Sequence, residues 1–412
     1  MFSSNNNLSF LLFFLFAVVG VIACNDSRHG NISRKMLNTS IEVVSLAAMK
    51  AGEEYTLHAS KLVEEIEYFP LSTADSAIIG KIDKIIAYDS IIYIFDSSSK
   101  IIFVFNDKGM HLASVNQQGH GPGEYKKLDD FTIDRTQGNI LVKSNYDQKI
   151  FVYNKYGDFI GERPAPFLSS SFYILNDSLL AIYYWKNFNV RIFKDTYPKQ
   201  PRLFILDKNN DVKSSDLWYR YDDEYGNYIG DNSGFYTVGD SLSFMESIGS
   251  LIYRIDRVEG QAMPRYFIDF HKYNSPMSFD MTKEALSTTV KNYWDFGANK
   301  WQILTDAYET GETLAFKFTN GKVINNALYS KTSRNLVVLG PFWINDIDNI
   351  AMPTIAGVTG DGKALLGYID AHVLKTMVSS NQNPVSNRIK LLAHKIKETD
   401  NPVLVKFSLK DF

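Results

Sequence analysis

Residues 91–109 read IIYIFDSSSKIIFVFNDKG, two short apolar runs joined by a serine-rich turn and followed by a second turn. Residues 140–157 repeat this arrangement as ILVKSNYDQKIFVYNKYG. The glycines that close the two units, Gly109 and Gly157, are 48 residues apart. Short runs rich in Ile, Val, Tyr and Phe between turn residues are typical of β-hairpins. The sequence therefore predicts hairpins that recur at a fixed spacing.

The same pattern recurs four more times, and it weakens toward the C-terminus. The further apolar runs are Leu179–Tyr184 with Leu203–Asp211, Leu242–Met245 with Leu251–Asp256, Leu314–Phe318 with Ala327–Ser330, and Ala364–Ile369. A period near about 50 residues with several short strands per period is the signature of stacked propeller blades. Blades cover one another through wide faces. The aromatic content of 14% supplies the large side chains that such faces need.

The number of blades follows from the length of the repeat region. The chain has 412 residues, and at roughly 45–60 residues a blade the part after residue 58 holds six or seven blades. We expect six, because six strand pairs can be placed. The sequence thus predicts an all-β fold, a six-bladed β-propeller over residues 59–412 with short helical insertions. A large β-sandwich or two smaller β domains are the alternatives, but neither explains the 48-residue register.

Ring closure and two helices are also predicted. We expect a strand around Leu62–Phe69 to join Val403–Leu409 in one blade, because closure removes free sheet edges. A capping aspartate and good helix formers predict a helix over Asp280–Tyr293. A second helix is predicted over Asn387–Glu398, where apolar residues recur at helical spacing. We expect that apolar face to pack on a blade. Its residues are Ile389, Leu392, Ala393 and Ile396.

Composition excludes several classes of function. The chain has 43 Lys and Arg against 46 Asp and Glu, a net charge of −3, which argues against a nucleic-acid partner. One cysteine excludes an intrachain disulfide and a cysteine-ligated zinc site. No two of the seven histidines lie three to five residues apart, so no local zinc motif is present. No metal, cofactor or catalytic residue is predicted, although a propeller can assemble a metal site from distant blades.

The N-terminus carries an export-type segment that ends at the single cysteine. Leu8–Ala23 is an apolar run of 16 residues, the size of a signal-peptide core. The stretch Val21-Ile22-Ala23-Cys24 resembles the lipobox of bacterial lipoproteins. This resemblance implies a signal peptide over residues 1–23 and lipid attachment at Cys24. Asn25–Ser40 is polar and shows no periodicity, so a flexible tether is predicted over residues 24–58.

The segment before the apolar run departs from the usual export signal. Met1–Asn7 contains no Lys or Arg, although positive charge is usual there. An uncleaved N-terminal anchor with an incidental cysteine is therefore the alternative. Both interpretations place the rest of the chain outside the cytoplasm.

Short motifs along nearly the whole mature chain resemble one family. They are Tyr68–Thr73, Gly119–Tyr125, Ile252–Ile255, Pro264–Phe270, Asn345–Asp348 and Asp400–Val405. The chain is similar to the six-bladed β-propeller lipoproteins of Gram-negative gut anaerobes, which are distantly similar to NHL-type propellers. The resemblance implies a lipoprotein of the cell envelope, on the periplasmic or surface face of the outer membrane. It implies no defined activity.

Two places are candidates for ligand binding. The glycines of Gly119–Gly123 do not join a strand to a helix, so a phosphate-binding loop is excluded and a blade-to-blade crossing is expected. His120 is the candidate residue in that loop. Asp346 and Asp348 would face one side of a strand and could bind Ca²⁺ or act as acid and base. Alternatively, they belong to a turn whose side chains bond local backbone amides.

The leading functional hypothesis is a lipid-anchored, extracytoplasmic propeller that acts as a non-enzymatic ligand-binding or protein-interaction scaffold. Its partners would be the membrane, through the lipid, and a protein, glycan or peptide. Propellers present loops around a channel mouth, and binding residues usually lie on loops held by a rigid scaffold. The alternatives are a lyase or hydrolase with a site in the channel, metal dependent or not, and an assembly role in an outer-membrane complex.

The lipoprotein prediction is tested by Cys24→Ala. We expect the variant to leave the membrane fraction or to accumulate as unprocessed precursor, because the thiol that carries the lipid is missing. Fractionation of cells followed by immunoblotting measures both outcomes. Unchanged processing and membrane retention would contradict lipidation at this residue.

Overall fold

The two repeated apolar runs of each unit form the central strands of separate four-stranded antiparallel sheets. The computed structural model describes residues 41–46, 58–74, 77–184, 200–219, 234–245, 250–270, 302–320, 323–341, 343–381 and 383–412. Within these ranges six sheets, five with four strands and one with a fifth strand added, follow one another and form a six-bladed β-propeller. The predicted fold class and blade number are confirmed.

Strands and helices are labelled in chain order. The chain first forms β1 (Glu42–Ser45), helix α1 (Ala59–Leu62) and β2 (Val63–Pro70). Blade 1 consists of β3 (Lys84–Tyr88), β4 (Ile91–Asp96), β5 (Ile101–Asn106) and β6 (His111–Val115). Blade 2 consists of β7 (Asp130–Asp134), β8 (Asn139–Ser144), β9 (Lys149–Tyr153) and β10 (Phe159–Pro164). Blade 3 consists of β11 (Ser171–Asn176), β12 (Leu179–Tyr183), β13 (Gln200–Asp207) and β14 (Val212–Tyr219).

The remaining blades continue in the same order. Blade 4 contains β15 (Gly234–Val238), β16 (Ser241–Met245), β17 (Leu251–Ile255) and β18 (Ala262–Asp269). Blade 5 contains β19 (Gln302–Glu309), β20 (Thr313–Asn320), β21 (Val323–Ser330) and β22 (Leu336–Gly340). A small hairpin follows, formed by β23 (Ile344–Asn345) and β24 (Ile350–Ala351). The chain ends with β25 (Thr354–Val358), β26 (Leu365–Ile369), helices α2 (Ala371–Ser380) and α3 (Asn387–Lys395), and β27 (Val403–Leu409).

Blade 6 combines the two ends of the propeller. Its strands are β25, β26 and β27 together with β2, in the order β2-β27-β26-β25. β2 pairs antiparallel with β27 from Val63 opposite Leu409 to Pro70 opposite Val403. The predicted closure by an N-terminal strand is therefore confirmed. Because the outer strand of the last blade comes from the start of the propeller, the ring is held shut by backbone hydrogen bonds.

The first strand of each blade lies innermost. The inner strands β3, β7, β11, β15, β19 and β25 each adjoin the next around the ring, and β25 returns to β3. Apolar side chains of adjacent blades meet at all six seams between the described blades. Aromatic rings cross several of these seams, such as Phe95 against Phe131 at 6.1 Å and Tyr183 against Phe244 at 4.8 Å between ring centroids. Each such pair adds about 0.5–1.5 kcal/mol beyond its buried area.

The repeat detected in the sequence marks the turn between the third and fourth strands. In blade 1 the Asn106 side-chain oxygen accepts hydrogen bonds from the backbone N–H groups of Lys108 and Met110, at 3.0 and 2.9 Å. In blade 2 the Asn154 side chain accepts equivalent bonds from residues 156 and 158. Asp207 and Asp256 cap the corresponding turns of blades 3 and 4. A short polar side chain at this position thus fixes the same turn in four blades.

Gly157 ends one of these turns and docks its blade on the preceding one. Its φ of 85° lies in the left-handed region. A Cβ at this position would stand 2.7 Å from the backbone oxygen of Ser114, on β6 of blade 1. Gly109 makes the equivalent approach to the backbone oxygen of Pro70 on β2. The 48-residue spacing therefore has a physical origin, because each of these turns needs both a positive φ and room for a neighbouring backbone.

The N-terminal boundary of the propeller requires a correction. Residues 41–46 fall in the range 24–58 that was assigned to the tether, but β1 pairs in parallel with β18 as a fifth strand of blade 4. Val44 and Leu46 are buried in the seam with blade 5. The strand β1 has only four residues, two of them valines between Glu42 and Ser45, so the pattern was too short to predict this strand. Residues 1–40, including the signal segment and Cys24, lie outside the described residues.

The helices differ in how far they were predicted. Helix α3 is confirmed, although it ends at Lys395. Its Ile389 and Ala393 and the following residue Ile396 are buried, the two isoleucines in the cluster shared with blades 5 and 6. Helix α2 was not predicted. The predicted helix over 280–293 lies outside the described residues. Among the residues described, no helix has the length and apolar character needed to cross a membrane.

The docking role of the glycine turn is tested by Gly157→Ala. A left-handed conformation costs about 1–2 kcal/mol for a residue with a Cβ, and the contact with the Ser114 oxygen adds to it. We expect the free energy of unfolding to fall by about 2 kcal/mol or more. Gly161→Ala is the matched control, because its φ is not positive and nothing lies within 4 Å of its Cβ position. Urea denaturation of both variants measures the difference, and equal stabilities would refute the docking role.

Candidate functional site

A cavity of about 890 Å³ occupies the centre of the ring. Residues from all six inner strands line it. The inner strands all start at one end of the cavity, which we call the entrance, and finish at the other, which we call the far end. Cavities of about 300–1,000 Å³ hold small-molecule ligands in proteins. The channel is therefore the candidate binding site.

Polar side chains are concentrated at the entrance, where blades 1, 2 and 3 meet. Lys84, the first residue of β3, donates from Nζ to Oδ1 of Asp130 at 2.7 Å and to the backbone oxygen of Phe131 at 2.8 Å. The other carboxylate oxygen of Asp130 accepts a hydrogen bond from the backbone N–H of Phe172, at 3.2 Å. Burial raises the pKa of Asp130, and the Lys84 ammonium opposes this shift. One ion pair thus links three blades at the channel wall.

A second set of polar groups extends the entrance. The Lys127 ammonium lies 2.7 Å from Oδ1 of Asp129, and Oδ2 of Asp129 accepts from the backbone N–H of Asn145 at 2.7 Å. The Asn145 side chain in turn bonds both backbone groups of Ser169, at 2.8 and 2.9 Å. These contacts fix the wall between blades 2 and 3. The hydroxyl oxygen of Ser169 is buried and has no hydrogen-bond partner among the described residues.

A buried lysine lies behind this wall. Lys143 on β8 is fully buried, and its ammonium donates to the backbone oxygen of Ser144 at 3.1 Å. Burial lowers the pKa of Lys143 to about 8, while the charges of Asp129 and Asp147 act in the opposite direction. The side chain does not line the cavity. It therefore contributes positive potential to the entrance rather than a direct contact.

Tyrosines give the channel its aromatic surface. The lining includes Tyr146, Tyr173, Tyr184, Tyr236 and Tyr308. A tyrosine offers an apolar ring face together with a polar hydroxyl. Such a lining suits a ligand that combines flat surfaces, from rings or from peptide planes, with many hydrogen-bonding groups. Within the described part of the chain, no group of three or more His, Cys, Asp or Glu is placed to hold a metal ion.

His120 lies in the crossing between β6 and β7, as the sequence predicted for its loop. Its side chain is exposed, and it is not among the residues that line the cavity. Within the loop the backbone N–H of Gly121 donates to Oε2 of Glu124 at 2.7 Å. The loop thus forms a connection between blades 1 and 2, and the structure does not bring His120 to the channel.

Asp346 and Asp348 lie in the turn of the β23–β24 hairpin, away from the channel. Their carboxylates have separate partners. Asp346 accepts from the backbone N–H and the hydroxyl of Ser60, at 2.8 and 2.5 Å. Asp348 is bound by both Nε and Nη2 of Arg388, at 2.7 and 2.6 Å. The structure therefore does not bring the two carboxylates together on a shared ligand position.

The Asp348 carboxylate connects the hairpin to the ring closure. It also accepts from the hydroxyls of Ser386 at 2.6 Å and Tyr68 at 2.7 Å. Arg388 donates a further hydrogen bond to the backbone oxygen of Ile66, on β2. Burial raises the pKa of Asp348, but the hydrogen bonds from Arg388, Ser386 and Tyr68 outweigh it and hold the pKa below its usual value.

The channel-lining residues were missed by the sequence analysis. Lys84 and Asp130 are the first residues of the inner strands β3 and β7. An inner strand has one edge at the channel, and its sequence mixes polar with apolar residues instead of forming a long apolar run. Their spacing could have identified them, because they are 46 residues apart and the repeat spacing is 48 residues. Aligning the repeats would have placed both at the start of a blade.

Comparisons with known proteins agree with the architecture. The family described as "Domain of unknown function (DUF4934)" matches residues 41–408. The chain is similar to the solved structure of a Bacteroides fragilis protein described as exported, with 20% sequence identity and a TM-score of 0.71, over 90% of this chain and 100% of that one. It is also similar to a DUF4221 family member from Bacteroides vulgatus, with 11% identity and a TM-score of 0.50, over 85% and 98% of the two chains. No curated protein matches the sequence.

Asp348→Asn tests whether this carboxylate is a structural anchor. The Asp348 carboxylate is buried but the Arg388 side chain is about half exposed, so we expect the free energy of unfolding at neutral pH to fall by about 2 kcal/mol, between the values for exposed and buried ion pairs. Because the pKa of Asp348 is lower in the folded chain, its contribution is present above about pH 4 and is lost as pH falls through the folded-state pKa. The difference from wild type should therefore shrink near about pH 3.

Asp346→Asn is the matched control, because its carboxylate is partly exposed and such pairs contribute less than about 1 kcal/mol. Urea unfolding of the three proteins at both pH values gives the comparison. Equal losses for the two variants, or a loss for Asp348→Asn that does not depend on pH, would contradict the anchoring role.

Proposed function

The chain belongs to the DUF4934 family, and from this premise we propose that it is an exported, lipid-anchored propeller that binds a small polar ligand in its channel without chemical conversion. The channel is the observation that carries the proposal. It has a volume of about 890 Å³, and residues from all six blades line it. This size, together with the ion pairs and tyrosines of the lining, fits a binding cavity. A glycan fragment or a short peptide has the matching chemistry, since both present flat faces and many polar groups.

Two observations support export and anchoring. The apolar segment that ends at Cys24 has the length of a signal-peptide core, and the residues around Cys24 resemble a lipobox. The similar Bacteroides fragilis protein is described as exported. We place the lipid at Cys24 and the propeller at the periplasmic or surface face of the outer membrane. The tether would then lie between Cys24 and β1, which begins at Glu42 and joins blade 4.

The charges of the channel favour binding over catalysis. Each of the four aspartates that line it has a lysine partner within ion-pair distance. The pairs are Asp83 with Lys81, Asp129 with Lys127, Asp130 with Lys84, and Asp306 with Lys317. A general acid or base must exchange a proton with the substrate, and a carboxylate held by an ammonium group is poorly suited to do so. A rigid set of paired charges instead supplies fixed hydrogen-bonding positions for a ligand.

Channel binding is tested by Ser170→Trp. Ser170 precedes β11, lines the entrance and is half-buried, so a tryptophan there would obstruct the cavity. We expect wild type to bind at least one member of a panel of neutral and acidic oligosaccharides and tripeptides, and Ser170→Trp to bind it at least about tenfold more weakly. Isothermal titration calorimetry measures the affinities.

Ser379→Trp is the control, because Ser379 is exposed on α2 and does not line the channel. It should bind as wild type does, and circular dichroism shows whether each variant is folded. Absence of binding across the panel, or equal binding by Ser170→Trp, would refute the channel site. Turnover of a bound probe, detected by chromatography, would refute the non-enzymatic assignment.

A further inference from the structure

One arginine bonds a tyrosine at the far end of the channel, and the charge of a second arginine, from another blade, acts on the same tyrosine. Arg135 follows β7 of blade 2, and Arg257 lies in the turn between β17 and β18 of blade 4. Tyr173 on β11 of blade 3 lies between them in the ring order and lines the cavity, as Arg135 does. Three adjacent blades thus contribute to one cationic region.

The Arg257 guanidinium is held against this tyrosine. Its Nη2 donates to the hydroxyl of Tyr173 at 3.0 Å, and its Cζ lies 5.5 Å from the centre of the tyrosine ring. The backbone oxygen of Arg257 accepts from the Asn176 side chain at 2.9 Å, which fixes the turn. Its Nε is buried and has no hydrogen-bond partner among the described residues. The guanidinium is therefore held in place by Tyr173, and its Nη1 makes no hydrogen bond to the described residues.

Arg135 is positioned by a tyrosine of blade 1. Its Cζ lies 5.4 Å from the centre of the Tyr88 ring, and the Tyr88 hydroxyl donates to its backbone oxygen at 2.7 Å. Stacking on an aromatic face leaves the edge of a guanidinium, which carries its N–H donors, open to other partners. Arg135 therefore presents a fixed donor group at the channel wall.

Neither arginine has a carboxylate within 4.0 Å in the described part of the chain. The neighbouring carboxylate of Asp134 caps the backbone N–H of Thr136 at 2.9 Å. Burial raises the pKa of Tyr173, while the charges of Arg257 and Arg135 both lower it and that of Asp134 raises it. Both positive charges thus act at the same hydroxyl.

Among the described residues, the channel lining carries one more cation than anion. Its charged residues are Lys81, Lys84, Lys100, Lys127 and Arg135 against Asp83, Asp129, Asp130 and Asp306. The aspartates are paired with lysines, as described above, and Arg257 adds a further positive charge beside the far end. Of the charges that act on Tyr173, two are positive, from Arg257 and Arg135, and one is negative, from Asp134, so an anion at this end would meet a net positive charge.

We propose that Arg135, Arg257 and Tyr173 form a subsite for an anionic group, a carboxylate or a phosphate, of the ligand that enters the channel. The assignment of this group to a channel ligand rests on the proposed function. Guanidinium groups bind both anions through paired N–H donors in a planar fork, and a tyrosine hydroxyl adds a further donor. The ligand would lie along the channel axis, with its neutral part against the tyrosine-rich wall.

The test uses inorganic phosphate and acetate as probes on the folded, full propeller. Isothermal titration calorimetry at constant ionic strength, with chloride as the background anion, should show saturable binding of at least one probe to wild type. Arg135→Gln and Arg257→Gln should each weaken it at least about tenfold, because each removes a charge-assisted hydrogen-bond donor. Tyr173→Phe, which keeps the ring and both arginines, should weaken it by a smaller factor.

Arg254→Gln is the matched control, because Arg254 is an exposed arginine on the adjacent strand β17 and its loss changes the net charge equally. It should bind within about twofold of wild type. Absence of phosphate and acetate binding to wild type would overturn the subsite, and so would equal weakening by Arg254→Gln. If Arg257→Gln does not fold, the binding of phosphate and acetate to Arg135→Gln and Tyr173→Phe decides whether the subsite exists.

This result is independent of the ligand panel described for Ser170→Trp. Anion binding that requires the two arginines, with no binding of any oligosaccharide or tripeptide, would retain the subsite and reject the proposed ligand classes. Panel binding that is unaffected by Arg135→Gln and Arg257→Gln would retain the channel function and reject the subsite.

Discussion

The pairing of β2 with β27 is the constraint on which the rest of the structure depends. Each blade has two broad apolar faces, and each face is covered by a neighbouring blade. An open arc would leave the outer faces of the first and last blades exposed to water. Because β2 belongs to the last blade and the chain then passes directly into blade 1, closing this one sheet covers all six seams.

The channel chemistry depends on the same ring. Lys84 of blade 1 bonds Asp130 of blade 2, which accepts a backbone hydrogen bond from Phe172 of blade 3. These polar groups therefore hold adjacent inner strands at fixed distances while they line the cavity. The site is rigid because its side chains take part in the packing of the blades, and rigid positioning lowers the entropy lost when a ligand binds.

The insertion within blade 6 strengthens the closure from outside. Arg388 of α3 bonds both the Asp348 carboxylate and the backbone oxygen of Ile66 on β2. Tyr68 of β2 reaches the same carboxylate. The closing strand is thus attached to α3 and to the β23–β24 hairpin as well as to β27. What looked in the sequence like a pair of ligand-binding aspartates is explained by this structural role for Asp348, whereas Asp346 holds the short helix α1 through Ser60.

The sequence by itself determined the central strands of the blades, the repeat, the closing strands and helix α3. Central strands such as β4 and β5 are covered on both faces, so they appear as unbroken apolar runs, and the turn with Asn106 and Gly109 follows from local backbone chemistry. Only the tertiary structure decided the lining of the channel, the attachment of β1 to blade 4 and the joint action of Arg135 and Arg257 on Tyr173. Inner strands border the channel at their edge and mix polar with apolar residues. These two arginines are 122 positions apart in the sequence and act on one tyrosine only because the ring brings their blades together.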